Sequence, residues 1–176
     1  MTQSNMLLLV LAVCMSAAVY WDIRERRVPN KLVLSGLLIA LAMQVWIAGA
    51  AGAWGFMAGA LTGLAVLLPF NMLRLMGAGD VKLMAMAGGF AASAVGVLWM
   101  VLYTMLAGGL LAIAFAALGG RWSALKSNLF IMWKLGFSEL DARGTGDEAK
   151  LQPAVRLPYA VAIAGGSLAY LIFGAP

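Results

Sequence analysis

Every charged side chain of this sequence falls in one of three stretches, at about 22–31, 74–82 and 119–157, and the long runs between them carry none. That segregation constrains the fold more than any motif does. A soluble domain spreads its charges over every surface element, whereas a chain crossing a bilayer confines them to the connections between spans. Composition agrees: 64% of residues are hydrophobic and the mean hydropathy is +0.95. A membrane β-barrel would need short alternating segments, and these runs are continuous, so the expected class is an all-α integral membrane protein.

Apolar runs at about Met6–Trp21, Leu32–Ile47, Trp54–Leu73, Val81–Ala92, Ala94–Leu118 and Pro158–Phe173 give about six transmembrane helices in one domain, 1–176. The fourth run is short, with a re-entrant piece as the alternative reading, and its separation from the fifth rests on Gly88-Gly89 and on the charge placement that follows. The connections "GAAGA" and "GGFAAS" and the tail "FGAP" carry no charge. The positive-inside rule makes the three charged segments cytoplasmic and puts both termini on the non-cytoplasmic side. Five spans would place 119–157 on the wrong side.

The formal net charge of +5 then reports topology and contact with anionic lipid, not nucleic acid. Met1–Trp21 lacks a basic start and a small-residue exit, and so reads as a retained helix. Cys14 is the one cysteine and histidine is absent. This excludes an internal disulfide, His-based triads and His- or Cys-built metal sites. In the third charged segment, "WSALKSNLFIMWKLGF" spaces Leu125, Leu129, Met132 and Trp133 as an amphipathic surface helix would. Next in the chain, "SELDARGTGDEAKLQPAVR" reads as a polar loop.

Chemistry is left to carboxylates, lysines and hydroxyls. Four of the seven acids (Glu139, Asp141, Asp147 and Glu148) lie in the polar loop, and Glu25 lies among arginines. Asp22, at the end of the first run, and Asp80, at the start of the fourth, share a membrane boundary. Two carboxylates brought close cannot both ionise cheaply. They share a proton, so that one accepts from water while the other donates to a scissile carbonyl.

Plainer roles fit each residue alone. Asp80 suits a helix N-cap, Asp22 a surface pair with Arg24 or Arg26, Gly77 and Gly79 a turn, and Lys82 the positive-inside rule. Two considerations favour function. Gly-x-Gly lets backbone approach a bound peptide and tolerates positive φ. Acids in a wet notch at the membrane boundary also usually have a task.

"GAGDVKLMA", with "WDIRERRVPNKL" after the first run, resembles the type IV prepilin peptidases, membrane aspartyl proteases marked by Gly-x-Gly-Asp. The tail "VRLPYAVAIAGGSLAY" is similar to that family's closing helix, so the likeness runs from about Trp21 to Tyr170. The resemblance implies Asp22 and Asp80 as catalytic residues and Gly77, Gly79 and Lys82 near substrate. The implied substrate is a prepilin or pseudopilin, with a hydrophobic N-terminal helix in the lipid and a basic leader cut at the cytoplasmic face of a bacterial inner membrane. Larger members add a cytoplasmic region whose paired cysteines bind zinc, and they methylate the new N-terminus. With only Cys14 here, peptidase activity without methylation, metal or cofactor is expected, as in tight-adherence (Flp) pilus systems. Strand pairing of 77–80 with an unwound substrate is a further expectation.

Two other readings use the same residues. One is an intramembrane protease of presenilin or signal-peptide-peptidase type, whose first acid lies deep in a span rather than beside "RERR". The other is a transporter or assembly scaffold with Asp22 and Asp80 as an ion site, which would favour midplane acids and repeated halves.

Overall fold

A computed structural model describes residues 3–25, 27–72, 76–118 and 159–174, and all of its regular structure is helical. The helices are α1 (Gln3–Glu25), α2 (Asn30–Met72), α3 (Ala78–Ala91), α4 (Ala94–Leu118) and α5 (Tyr159–Phe173). Three of them, α1, α2 and α4, are long and apolar enough to cross a membrane, and α5 is a shorter apolar helix. Met1–Gly108 with Pro158–Pro176 forms one compact unit, and Gly109–Leu157 forms another. Of the second unit, only the last turns of α4 are described. The amphipathic helix and polar loop expected within 119–157 lie outside the described residues.

At 43 residues, α2 would run about 65 Å if straight, twice the thickness of a hydrocarbon core. It does not run straight. Gly49 adopts φ 57° and ψ −133°, open to glycine and costly for other residues. The chain folds back there, and Gly52 packs against the Gln44 carbonyl. The arms 30–48 and 50–72 thus match the second and third apolar runs, and the uncharged "GAAGA" connection is their turn. Trp46 and Trp54 flank it, 81% and 76% exposed.

Between the arms sits α3. From Val81 to Phe90 every residue is buried except Lys82. Met86 lies against Gly36 of the first arm, while the second arm presents Gly55, Gly59 and Gly63 to the α3 backbone. A Cβ at Gly63 would stand 2.6 Å from the Met84 carbonyl oxygen, and one at Gly59 would collide with Gly88. Lipid tails are as apolar as leucine, so helices in a bilayer associate through such close approach rather than through hydrophobic exclusion. Gln44 closes the contact by donating from Nε2 to the Phe90 carbonyl at 2.7 Å.

The fourth and fifth runs divide between Ala92 and Ala94, as the sequence bounds them, but Gly88-Gly89 is not what divides them. These glycines do not end a helix but lie inside α3, where Gly88 meets Gly59 and Gly89 meets Phe56. The break is made at Ala92, left-handed with φ 48°, where its N–H caps the Gly88 carbonyl at 3.0 Å. Small residues served packing where a break was expected.

The other helices close the unit. Leu11, Met15 and Ala18 of α1 are fully buried at i, i+4 and i+7. The same stripe continues one turn on to Asp22. The first part of α4 packs on α5, with Gly96 against Tyr170 and Gly166 against Thr104.

Candidate active site

The arms of α2 are antiparallel, and the first runs alongside α3, so the start of α2 and the start of α3 lie at one end of the bundle. The end of α1 and the start of α5 meet there too. Val28 lies beside Gly79, Lys82 Nζ donates to Asn30 Oδ1 at 3.0 Å, and Ala160 N–H donates to Asp22 Oδ2 at 3.4 Å. Residues far apart in sequence thereby form one polar cluster.

Asp80 occupies the first turn of α3, ahead of the apolar run and outside the three spanning helices. Burial pushes its carboxyl up to about 6. The nearby Asp22 charge acts in the same direction, and a hydrogen bond from the Gly77 backbone opposes both. These causes are physically distinct: low dielectric and a like charge each disfavour the ionised form, whereas an N–H donor favours it. Asp22, half-buried, thus lies within electrostatic reach of Asp80, and its Oδ2 meets the start of α5.

Several plainer expectations change. The N-cap of α3 is Gly77, in extended backbone with φ −69° and ψ 145° and without a side-chain cap bond. Asp80 is therefore not the N-cap, although it accepts from the N-cap amide. Neither Gly77 nor Gly79 takes a positive φ. The first glycine provides space instead, since a Cβ there would stand 3.2 Å from Asp80 Oδ2. One at Gly79 would make ordinary contact with Val28 at 3.7 Å. Because Ala78–Asp80 already belong to the helix, strand pairing along 77–80 is not available in this conformation. Arg24 donates to the Tyr20 hydroxyl at 2.6 Å and lies over its ring, so its guanidinium is engaged away from Asp22; Arg26, the other expected partner, lies outside the described residues.

Of the five residues named from sequence, Asp22, Asp80, Gly77 and Gly79 gather around the two carboxylates. Lys82 points to Asn30 on the exposed side. The sequence reading missed Asn30, although it stands within "WDIRERRVPNKL". It also missed the start of α5, whose contribution is a backbone amide that no side-chain pattern reveals.

The family model for type IV leader peptidases matches residues 9–117. The chain belongs to the type IV leader peptidase family. The match takes in both aspartates, both glycines and Lys82, and ends before α5. No curated protein and no solved structure matches the chain. Membership makes this leader peptidase-family protein a protease, consistent with the aspartic type, and its apolar helices make it a membrane protein. Among the described residues no group of three or more Cys, Asp or Glu side chains could hold a metal ion.

Proposed function

We propose that this protein is a membrane aspartyl endopeptidase that removes the basic leader from prepilins or pilin-like subunits at the cytoplasmic membrane face, with Asp22 and Asp80 as its catalytic pair. The observation that carries the reading is the placement of these two acids within electrostatic reach of one another at one end of the bundle, in a family of leader peptidases. The ionised member removes a proton from water, which attacks the scissile carbonyl. The neutral member donates to the carbonyl oxygen, and the leaving amine takes the proton the base acquired. Gly77 leaves space beside the Asp80 carboxylate, and Lys82 with Asn30 lies at the same end of the bundle.

The proposed topology has six spans, with α2 counted as two and α3 as a short one, in a single peptidase domain of the bacterial inner membrane. Both termini face away from the cytoplasm. Trp46 and Trp54 beside the Gly49 turn support an outer boundary there, since exposed tryptophan concentrates at membrane interfaces. The substrate helix would enter from lipid, with its basic leader in the cytoplasm, and service of a tight-adherence pilus follows from the same likeness. Co-expression with an epitope-tagged prepilin tests this. A mobility shift with the wild type and none with Asp22→Asn or Asp80→Asn is expected. Full processing by either variant would favour a scaffold or transporter role.

A further inference from the structure

The carbonyl of Met76 and the N–H of Gly77 belong to one peptide unit, at the entry to α3. The unit stands outside the hydrogen-bond ladder of that helix. The ladder starts at the Gly77 carbonyl, which accepts from the Asp80 N–H at 3.1 Å and the Val81 N–H at 3.5 Å. Both faces of the Met76–Gly77 unit are nevertheless engaged by side chains. Asn71, half-buried in the last turn of α2, donates from Nδ2 to the Met76 carbonyl at 2.9 Å. The Gly77 N–H donates to the Asp80 carboxylate, and a Cβ at Gly77 would stand 3.2 Å from Asp80 Oδ2. Asp80 is the third residue after the N-cap, the position from which a side chain reaches back to the N-cap amide.

This peptide is trans, so its C=O and N–H point to opposite sides of one rigid plane. A bond that fixes the carbonyl therefore fixes the direction of the amide as well. It also polarises the unit, which makes the amide a stronger donor. We infer that Asn71 is a positioning residue of the active site: by holding the Met76 carbonyl it turns the Gly77 amide onto Asp80 and sets the place of that carboxylate. The inference rests on the peptidase reading and deepens it by naming a residue that acts on a catalytic acid through a shared peptide.

The surroundings suit that task. Met76 packs against the core, which gives the unit a wall on one side, and Gly77 brings no side chain between its amide and the carboxylate. Asn71 belongs to the arm of α2 that is closed on α3 through Gly55, Gly59 and Gly63. The bond thus ties a rigid part of the bundle to the residue before the N-cap. Asparagine is a weak helix former that favours helix ends, where its amide can serve backbone groups.

Met76–Gly77 is the only Met-Gly step in the sequence. Protein carrying isotope labels on methionine carbonyl carbon and glycine nitrogen therefore gives a single carbonyl–amide NMR correlation, from this unit alone. Full-length wild type in detergent micelles is compared with Asn71→Leu, which removes the donor at similar volume, and Asn71→Gln, which keeps an amide. In Asn71→Leu the Gly77 amide proton is expected to move upfield, with a matching change at the Met76 carbonyl, because both hydrogen bonds weaken. On a purified tagged prepilin its kcat falls about tenfold, the scale of one hydrogen bond to a charged group, with KM changed less than about twofold. Melting changes little, and Asn71→Gln returns the correlation and most of kcat to wild type. An Asn71→Leu protein with an unmoved correlation, or with unchanged kcat, would overturn the inference and leave the peptidase reading intact. If that variant does not fold, Asn71→Ala takes its place with the same readouts, and a fold lost in both makes Asn71 structural and overturns the inference. A wild type that cleaves no prepilin removes the peptidase reading instead, and the correlation still decides whether Asn71 directs the Gly77 amide.

Discussion

The two ends of α3 sit in opposite surroundings. From Met84 to Phe90 it is clasped between the arms of α2, with backbone against backbone at Gly59–Gly88 and no exposed residue. At its start, four residues earlier, Asp80 is half-buried, Lys82 is exposed and the neighbours are polar. The clasp has no room to move and performs no chemistry. The open end carries Asp80 and Lys82, with Asp22 within electrostatic reach. The contrast shows how a small membrane protein holds two carboxylates together: precision is built where the chain is inert and handed along a short helix to where it is used.

Four experiments probe this division. The largest effect is expected at the open end. Asp22→Asn and Asp80→Asn should each lower prepilin cleavage by about 10^3-fold or more, the scale of losing an acid–base catalyst, while melting in detergent changes little. Loss of the fold in either variant would make the acids structural and erase the contrast. Next comes Gly59→Val in the clasp. Its side chain would enter the space of the Gly88 backbone, which cannot rotate away as a flexible side chain can. A cost of about 3 kcal/mol or more is expected, read as a large drop in melting temperature with activity lost in parallel. Near-normal melting would mean that the arms of α2 are not closed on α3.

The third experiment varies pH. Burial raises the Asp80 carboxyl from 3.8 to about 6 in the folded protein. Its contribution to stability is therefore complete below about pH 4 and is lost as pH rises through about 6. Wild-type melting should fall across that window, and Asp80→Asn should remove the fall. If Asp80 is the proton donor of the proposed pair, cleavage should decline on the basic side near pH 6, giving with the acidic limb two apparent pKa values that belong to the pair. The smallest effect is expected at Lys82. Its bond to Asn30 is exposed, and such contacts are worth about 1 kcal/mol or less. Lys82→Met and Asn30→Ala should each change melting by no more than a degree or two, and a double-mutant cycle should find weak coupling. A rise in KM confined to Lys82→Met would add substrate contact to its role.

Much of this contrast was legible in the sequence, because charge segregation and apolar length act locally. The runs 32–47 and 54–73 became the two arms of α2, and the bare "GAAGA" became their turn at Gly49. What escaped the reading was set by tertiary contact. Gly88 and Gly89 look like a helix break to a one-dimensional rule, yet they are the place where α3 meets Gly59 and Phe56. Gly77 and Gly79 suggested unusual backbone angles, but the need at Gly77 was space beside a carboxylate. The Ala160 amide left no sequence signal, since any residue but proline carries an N–H.

The most direct test of the central claim is crosslinking at the two acids themselves. In a Cys14→Ala background, Asp22→Cys and Asp80→Cys are combined in membranes and treated with a short thiol-to-thiol reagent, and the chain is cleaved between the two sites before electrophoresis. Fragments that stay joined through a 22–80 crosslink are expected, with rapid formation and no such product when either cysteine is left out. Fragments that separate, with both thiols reactive but never bridged, would contradict the pairing of Asp22 with Asp80.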